Sequence, residues 1–557
     1  MAHTRWYKDK VFYQIWPRSF RDGNSDGVGD LLGVYEKLDY LKSLGVDGIW
    51  FSPLYPSPGV DCGYDISDYM DIASEYGGME AFRKVLDGAH ARGMKVIMDL
   101  VVNHTSDEHE WFQKSRRRID PYTDYYIWRP ARADGKLPNN WDSMFEGKAW
   151  QWDEVRGEYY LHLFAVKQAD LNMDNPLVRE EVKKILRFWL DQGVDGFRED
   201  VITFISKKEE LPNDHLLPFL RGIGHYNHGP RVHEYLEEFK RDVLDDYDCT
   251  TIAEAPLVNP KRALKYIDEQ DGQMDMMIQF QCMCADCLYV DYLSLPFSPR
   301  RLKRAFRLWQ EKLEGRAWNM LYLENHDHPR SISRYGSEKY RTESGKMLAA
   351  AYLFQKGTPF IYQGQEIGMT NWRPQRAEEY EDVQSRYHYE HTLPWLPEKT
   401  RLKWLWRASR DSARTPMQWS ADENAGFSDV TPWFSVNDNY RTINVAAQEN
   451  DPDSLLNFYR RAIRVRKTLG VVRNGDYREY EKFSGSLYIY SRSWGDERLL
   501  VVCSFCERPV RFRAPKGFDL TQGRLILKNY DGTLSGNGFV TRPFETRVYY
   551  FGNETIE

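Results

Sequence analysis

The sequence predicts a (β/α)8 barrel interrupted by an inserted subdomain and followed by an all-β domain. Three observations carry that reading. Eight short, β-rich apolar runs recur between residues 11 and 366. Helical segments fall between most of them, and acids and histidines gather at the C-terminal ends of the runs. A doubly wound open sheet is the competing architecture; eight repeats and the placement of the polar residues favour the barrel.

The eight runs are "VFYQIW" (11–16), "GIWFSP" (48–53), "KVIMDLVV" (95–102), "GFREDV" (196–201), "TTIAEAP" (250–256), "MDMMIQF" (274–280), "NMLYLENHD" (319–327) and "TPFIYQGQE" (358–366). Between them, apolar residues at helical spacing mark helices over 31–45, 79–93, 178–193, 300–315 and 343–357, the first ending on Gly45 as a C-cap. Residues 104–172 are too long for a loop and rich in Trp and Tyr, so they are an inserted subdomain. From Gly475 the pattern alternates without helices ("SLYIYSRSW", "RLLVVCSF", "TRVYYFG"), which reads as a C-terminal β-sandwich. The expected organisation is 1–103 barrel, 104–172 insert, 173–474 barrel and 475–557 sandwich.

The chain's 557 residues exceed what one small core requires. A net charge of −7 with no long Lys/Arg run argues against nucleic acid as a partner. No stretch approaches the roughly 20 apolar residues of a membrane helix, and "MAHTRWYKDKVFYQIW" lacks the apolar core of a secretion signal, so a cytoplasmic protein is expected. A monomer is the expected state. Seven cysteines, an odd number, suit a reducing setting. "CMCADC" (282–287) and "CSFC" (503–506) lack a second ligand group at finger spacing and read as buried thiols. The 18 Trp and 36 Tyr would suit flat sugar faces, though large cores use them too.

In a barrel the strand ends converge on one face, so Asp99, Asn103, His104, Arg198, Asp200, Glu254, His326 and Asp327 would meet there. At these residues the chain resembles the α-amylase superfamily, glycoside hydrolase family thirteen. "DLVVNH" (99–104), "GFREDV", "IAEAP" and "ENHD" stand in the order of that family's four regions, with "QADLN" (168–172) and "GTPFIYQGQE" (357–366) beside them. "DCGYDISDY" (61–69) and "ARTPMQW" (413–419) are similar to the oligo-1,6-glucosidase and α-glucosidase branch, which trims glucose from non-reducing ends.

The resemblance implies Asp200 as nucleophile, Glu254 as acid/base and Asp327 as transition-state stabiliser. Physical reasoning runs alongside. Retaining glycoside hydrolysis needs an ionised nucleophile and a protonated acid about 5 to 5.5 Å apart. Arg198, two residues before Asp200 on one strand face, would keep that carboxylate ionised. The apolar run "TIAEAP" would raise the pKa of Glu254. By resemblance His104 and His326 bond sugar hydroxyls. Asp61 and Arg414 bind the terminal glucose and close the pocket, and Tyr64 stacks on its ring. Phe164, Gln168 and Val201 complete the substrate-binding set. Valine after the nucleophile accompanies α-1,6 activity in that branch and threonine α-1,4. A closed pocket implies exo action on short α-glucosides. "DGNSDGVGD" (22–30) spaces oxygen side chains at alternate positions and lacks an EF-hand's final acid. It resembles the branch's single structural Ca2+ loop, with Asp22, Asn24, Asp26, Val28 and Asp30 as ligands; a plain Asx-rich turn is the alternative.

Two positions depart from the branch. Glu199 stands where an apolar residue is usual, and strand alternation points it away from the pocket. Gln281 in "FQCM" leaves the +1 subsite open. Other functions on the same scaffold are a sucrose isomerase or transglucosidase and a maltase-type α-1,4-glucosidase. "SISRYGSEKYR" (331–341) does not match the Arg-rich loop of the isomerases. A non-catalytic partner like the transporter heavy chains would carry a membrane span and lack the three carboxylates, unlike this chain.

Overall fold

All eight runs are strands of one parallel sheet in the computed structural model, which describes residues 5–145, 147–215, 220–288, 290–391 and 394–555. Residues 1–4 and 556–557, the outer ends of the predicted first and last segments, lie outside the described residues. The strands are β1 (Phe12–Ile15), β2 (Gly48–Phe51), β3 (Lys95–Leu100), β4 (Gly196–Glu199), β5 (Thr250–Ala255), β6 (Met276–Gln279), β7 (Met320–Leu321) and β8 (Thr358–Tyr362). Their ladder order is β6-β5-β4-β3-β2-β1-β8-β7. Tyr322, just past β7, donates its hydroxyl to the Gln279 carbonyl that ends β6, at 2.8 Å, and so joins the two edges of the ladder.

Strand alternation divides the core in two. Phe12, Trp50, Ile97, Ile252, Met276 and Phe360 pack together inside the barrel. Their sequence neighbours, such as Val96 and Met98, face the helices in the larger outer core. Gly48 must be glycine, because a Cβ there would lie 2.4 Å from the Phe12 ring. The helix expected over 31–45 breaks at Lys37 into Leu31–Glu36 and Leu38–Leu44, and Gly45 caps it in the left-handed region at φ 96°. The other four expected helices are present as Gly78–Ala91, Pro176–Asp191, Pro299–Leu313 and Arg341–Leu353. Helices Val232–Asp242 and Pro260–Ile267, absent from the sequence reading, fill the next two crossovers.

Within 104–172, a three-stranded antiparallel sheet and a short pair, His104–Ser106 with Gln168–Asp170, form the insert; the short pair is antiparallel. A second excursion, not separated in the sequence reading, runs from the end of β8 to helix Leu455–Thr468. It holds helices Val383–His391 and Glu398–Ala408, a one-turn helix Asp411–Arg414, and a cluster around Trp372, Tyr380 and Phe434. The C-terminal domain is a five-stranded antiparallel sheet beginning at Asp476, covered by a two-stranded ribbon across an apolar core. No helix among the described residues is long and apolar enough to cross a membrane.

Candidate active site

Arg198 organises the site. It faces Asp99 across the β3–β4 ladder and is fully buried. Its Nη1 donates to Asp99 Oδ1 at 2.5 Å and to Asp200 Oδ1 at 2.8 Å, and its Nη2 lies 2.5 Å from Glu254 Oε1. Residues two apart share a strand face, which is how Arg198 and Asp200 meet at the end of β4. Glu254, on the adjacent β5, also accepts from the Val201 amide at 3.1 Å. The sequence reading put Glu254 in an apolar setting. Its oxygens instead meet a guanidinium and an amide, because the apolar neighbours in "TIAEAP" turn to the barrel interior and the outer core.

One arginine cannot neutralise three carboxylates. Burial pushes Asp99 up to about 6, although Arg198 pulls it down. Burial also pushes Asp200 well above the ordinary carboxylate range; Arg198 opposes this, while Glu254, Asp99 and Asp327 add to it. Against the expectation that Arg198 alone would keep Asp200 ionised, burial and the neighbouring carboxylates outweigh the guanidinium there. Asp327 behaves oppositely: burial acts to raise it, but His326, Arg410 and Arg414 outweigh burial and hold it well below the usual range. Burial lowers His326 and His104 to about 4, so both are neutral at pH 7. The arginines thus keep Asp327 ionised there. Gln14 Nε2 approaches His326 Nδ1 at 2.7 Å and can only donate, which puts the imidazole proton on Nε2. That nitrogen faces the Tyr64 hydroxyl at 2.5 Å and Asp327 Oδ2 at 3.0 Å.

Asp200, Glu254, Asp327, His104 and Tyr64 line a cavity with Asp61, Phe164, Val201 and Arg410, while Asp99, Arg198 and His326 are buried behind its wall. Gln168 Nε2 donates to Asp61 Oδ2 at 3.2 Å and lies 3.2 Å from His104 Nε2; the His104 ring centre is 5.0 Å from Phe164. Tyr64 donates to Asp99 Oδ2 at 3.0 Å. Its ring and that of His326 are near parallel, with centres 5.3 Å apart, and the 2.5 Å hydroxyl contact sets them side by side.

The expected Asp61–Arg414 pair is not formed. Arg410 reaches Asp61 at 3.2 Å, and it also reaches Asp327 at 3.3 Å and Asp382 at 2.5 Å. Arg414 donates to the His326 carbonyl at 3.2 Å and lies 3.4 Å from Asp327. The two arginines are one helical turn apart, so both face the same carboxylates. Arg410, the earlier one, lines the cavity, and Arg414 is buried behind it. Sequence reasoning missed Arg410 and its anchor Asp382; the i,i+4 arginine spacing in "RDSAR" was the available signal.

In the 22–30 loop, Asp22 accepts from the amides of Asn24, Ser25 and Gly27 and from the Ser428 hydroxyl. Asn24 accepts from the Asp26 amide and Asp26 from Val28. Asp30 caps helix Leu31–Glu36 through the Gly33 amide. The all-oxygen donor chemistry fits a hard cation. Among the described residues, however, no three His, Cys, Asp or Glu side chains gather as a metal cluster, and the loop's oxygens close on its own amides.

Both departures face away from the cavity. Glu199, between inward Arg198 and Asp200, is buried in the outer wall, and burial with nearby Asp275 pushes it up to about 8. Gln281 accepts from the Trp309 indole at 2.9 Å, on helix Pro299–Leu313; Phe280 and Cys284 line the cavity instead.

Comparison with known proteins fits this geometry. The α-amylase catalytic-domain model matches residues 14–475. The chain is 47% identical to an oligo-1,6-glucosidase of Parageobacillus thermoglucosidasius, with 98% of each chain covered. It is similar to the crystal structure of Bacillus licheniformis trehalose-6-phosphate hydrolase, with a TM-score of 0.94, 42% identity and 98% of this chain and 100% of that one covered. A trehalulose synthase MutB structure gives a TM-score of 0.94 at 38% identity, with the same coverages. With its eight-stranded barrel, its insert and its carboxylates at the strand ends, the chain belongs to the α-amylase family.

Proposed function

We propose that the protein is a retaining exo-α-glucosidase that releases glucose from the non-reducing ends of short α-1,6-linked oligosaccharides. The carrying observation is that Asp200 and Glu254, on neighbouring strand ends, contact the same guanidinium. That proximity suits the short separation of a retaining pair, about 5 to 5.5 Å, more than the 6.5 to 9.5 Å that leaves room for a water. In the reactive state Glu254 carries the proton and Asp200 is ionised; Asp200 attacks the anomeric carbon while Glu254 gives its proton to the departing glycosidic oxygen. A water then attacks the glucosyl-Asp200 ester and returns a proton to Glu254, freeing glucose. Ionised Asp327 stabilises the positive charge that develops at the ring, neutral His326 keeps its Nε2–H towards Asp327 and the Tyr64 hydroxyl, and neutral His104 lines the pocket beside them. Asp61 and Arg410 cover the inner end of the pocket, which supports exo action.

The α-1,6 preference rests on Val201 beside the nucleophile and on relatives named oligo-1,6-glucosidase. A phosphorylated substrate is less well served. Arg410 is the sole Lys or Arg among the described residues lining the cavity, and Asp61, Asp327 and Asp382 already hold it. Phosphate recognition calls for a free cation. The loop 22–30 is proposed to take one structural Ca2+ through Asp22, Asn24, Asp26, Asp30 and the Val28 carbonyl. A reducing cytoplasm suits the seven free thiols, and one chain carries every group of the proposed site.

Initial rates on isomaltose, maltose, sucrose and trehalose 6-phosphate, with the anomer of released glucose followed by NMR, test the reading. Isomaltose should be fastest and α-glucose the first product. Faster maltose cleavage, β-glucose as first product, or isomerisation of sucrose would each overturn it.

A further inference from the structure

The aglycone half of the cavity is apolar, and strained backbone helps to hold it so. The leaving group departs on the side of the proton donor, Glu254, and of the residues that follow it and Asp200. Val201, Leu220, Ile223, Pro256 and Leu257 line the cavity there. Three of these, Val201 (φ 35°), Leu220 (φ 51°) and Leu257 (φ 57°), have left-handed backbone. That conformation costs roughly 1 to 2 kcal/mol for a residue with a side chain, and it is a real outlier for a β-branched valine. Glycine or asparagine would adopt it with less strain. Leu257 is also 47% exposed, so core packing does not account for its side chain. At Leu257 the strain sits on a side chain left half in water at the cavity rim, the kind of place where strained backbone clusters beside ligands.

We propose that this site takes α-glucosides of apolar alcohols, with an alkyl chain lying along Leu220, Ile223 and Leu257. The inference rests on the glucosidase reading above and extends it to a substrate class. The chemistry is unchanged. The bond from the anomeric carbon to the alkoxy oxygen breaks, Glu254 protonates that oxygen, the neutral alcohol leaves, and water cleaves the glucosyl-Asp200 ester.

The test compares methyl and hexyl α-glucoside, whose leaving groups are alike in basicity, with isomaltose as a reference. A buried methylene contributes about 4-fold, so covering two of the five extra ones gives a hexyl-to-methyl ratio in kcat/KM of at least about 10. Leu257→Asn and Leu220→Asn suit left-handed backbone, so both variants should fold. Each should lower the hexyl-to-methyl ratio several-fold, with melting curves confirming the folded state. A wild-type ratio below about 3, or a ratio that neither variant moves, overturns the inference. Cleavage of isomaltose with no advantage for hexyl sinks this proposal alone. Cleavage of the alkyl glucosides without isomaltose upholds it and sinks the α-1,6 reading. No turnover of any α-glucoside sinks both.

Discussion

Replacing Arg410 with methionine separates its role from that of Arg414. Three carboxylates, those of Asp61 and Asp382 buried and that of Asp327 partly exposed, would lose a cation at 3.2, 2.5 and 3.3 Å. Arg414 still stands 3.4 Å from Asp327 and 3.8 Å from Asp382, so those two keep a partner. Asp61 keeps only the neutral Gln168 amide. Removing one member of a buried pair costs about 3 to 5 kcal/mol of folding stability, so the melting temperature should fall. A lost charge-assisted hydrogen bond at the substrate is worth about 1.5 to 3 kcal/mol, and each 1.36 kcal/mol is tenfold in rate, so a fall in kcat/KM of about 10- to 100-fold is expected at pH 7. The pH profile identifies the cause. Burial already pushes Asp61 up to about 6, with Arg410 the largest force against it. Asp61 is useful as an ionised acceptor, so wild-type kcat/KM should fall as pH drops through about 6. Without Arg410, Asp61 rises further, with Arg414 the remaining cation that opposes burial, and this acid limb should move to higher pH. An aryl α-glucoside assayed from pH 4.5 to 8.5 reads both quantities. If Arg410→Met holds kcat/KM within threefold at pH 7 with its limb unmoved, the Asp61–Arg410 pair is not what closes the pocket.

Asp200→Asn should abolish turnover with the melting temperature retained, and Glu254→Gln should slow isomaltose far more than an aryl α-glucoside, which needs little protonation; equal losses on the two would remove Glu254 from the acid's role. Chelation should lower the melting temperature, since a cation at 100 times its Kd stabilises by about 2.7 kcal/mol; a double Asp22→Ala, Asp26→Ala variant with unchanged metal content and melting would leave the loop a plain turn. Val201→Thr should move the isomaltose-to-maltose ratio of kcat/KM towards maltose, by about 10-fold or more; an unmoved ratio would clear Val201 of linkage choice.

The barrel was legible because its signals are local. Each parallel strand is buried on both faces and reads as a short apolar run, and each strand end carries its own acid or histidine. The carboxylates Asp200, Glu254 and Asp327 could be placed for the same reason. What escaped was whatever depends on contacts between distant segments. Two misses were of another kind: helices Val232–Asp242 and Pro260–Ile267 carry apolar stripes at helical spacing, Val232, Tyr235, Leu236 and Phe239 in the first and Ala263, Tyr266 and Ile267 in the second, so their signal was present in the sequence. Which arginine meets Asp61 is settled by the turn at Asp411–Arg414 and by the Asp382 anchor, far from Asp61 in the chain. The surroundings of Glu254 were misread because its charged partner lies on a different strand.

The two departures flagged in the sequence, Glu199 and Gln281, bear on function by where they do not point. Both sit inside motifs at the strand ends, where a substitution invites a functional reading. Glu199 is held in the outer wall by strand alternation, and Gln281 is turned to the Trp309 indole. Neither lines the cavity, so neither can choose a substrate by contact. The groups proposed to bond the terminal glucose are fixed by ion pairs and buried hydrogen bonds, a network in which one change leaves a charge stranded. Substrate choice therefore falls to the side chains that can vary without unpairing anything. Those are the apolar ones on irregular backbone after β4 and β5, where a change costs a contact but not a buried charge. Val201, Leu220 and Leu257 meet that condition, and at Leu220 and Leu257 an asparagine would relieve backbone strain as well as alter the pocket.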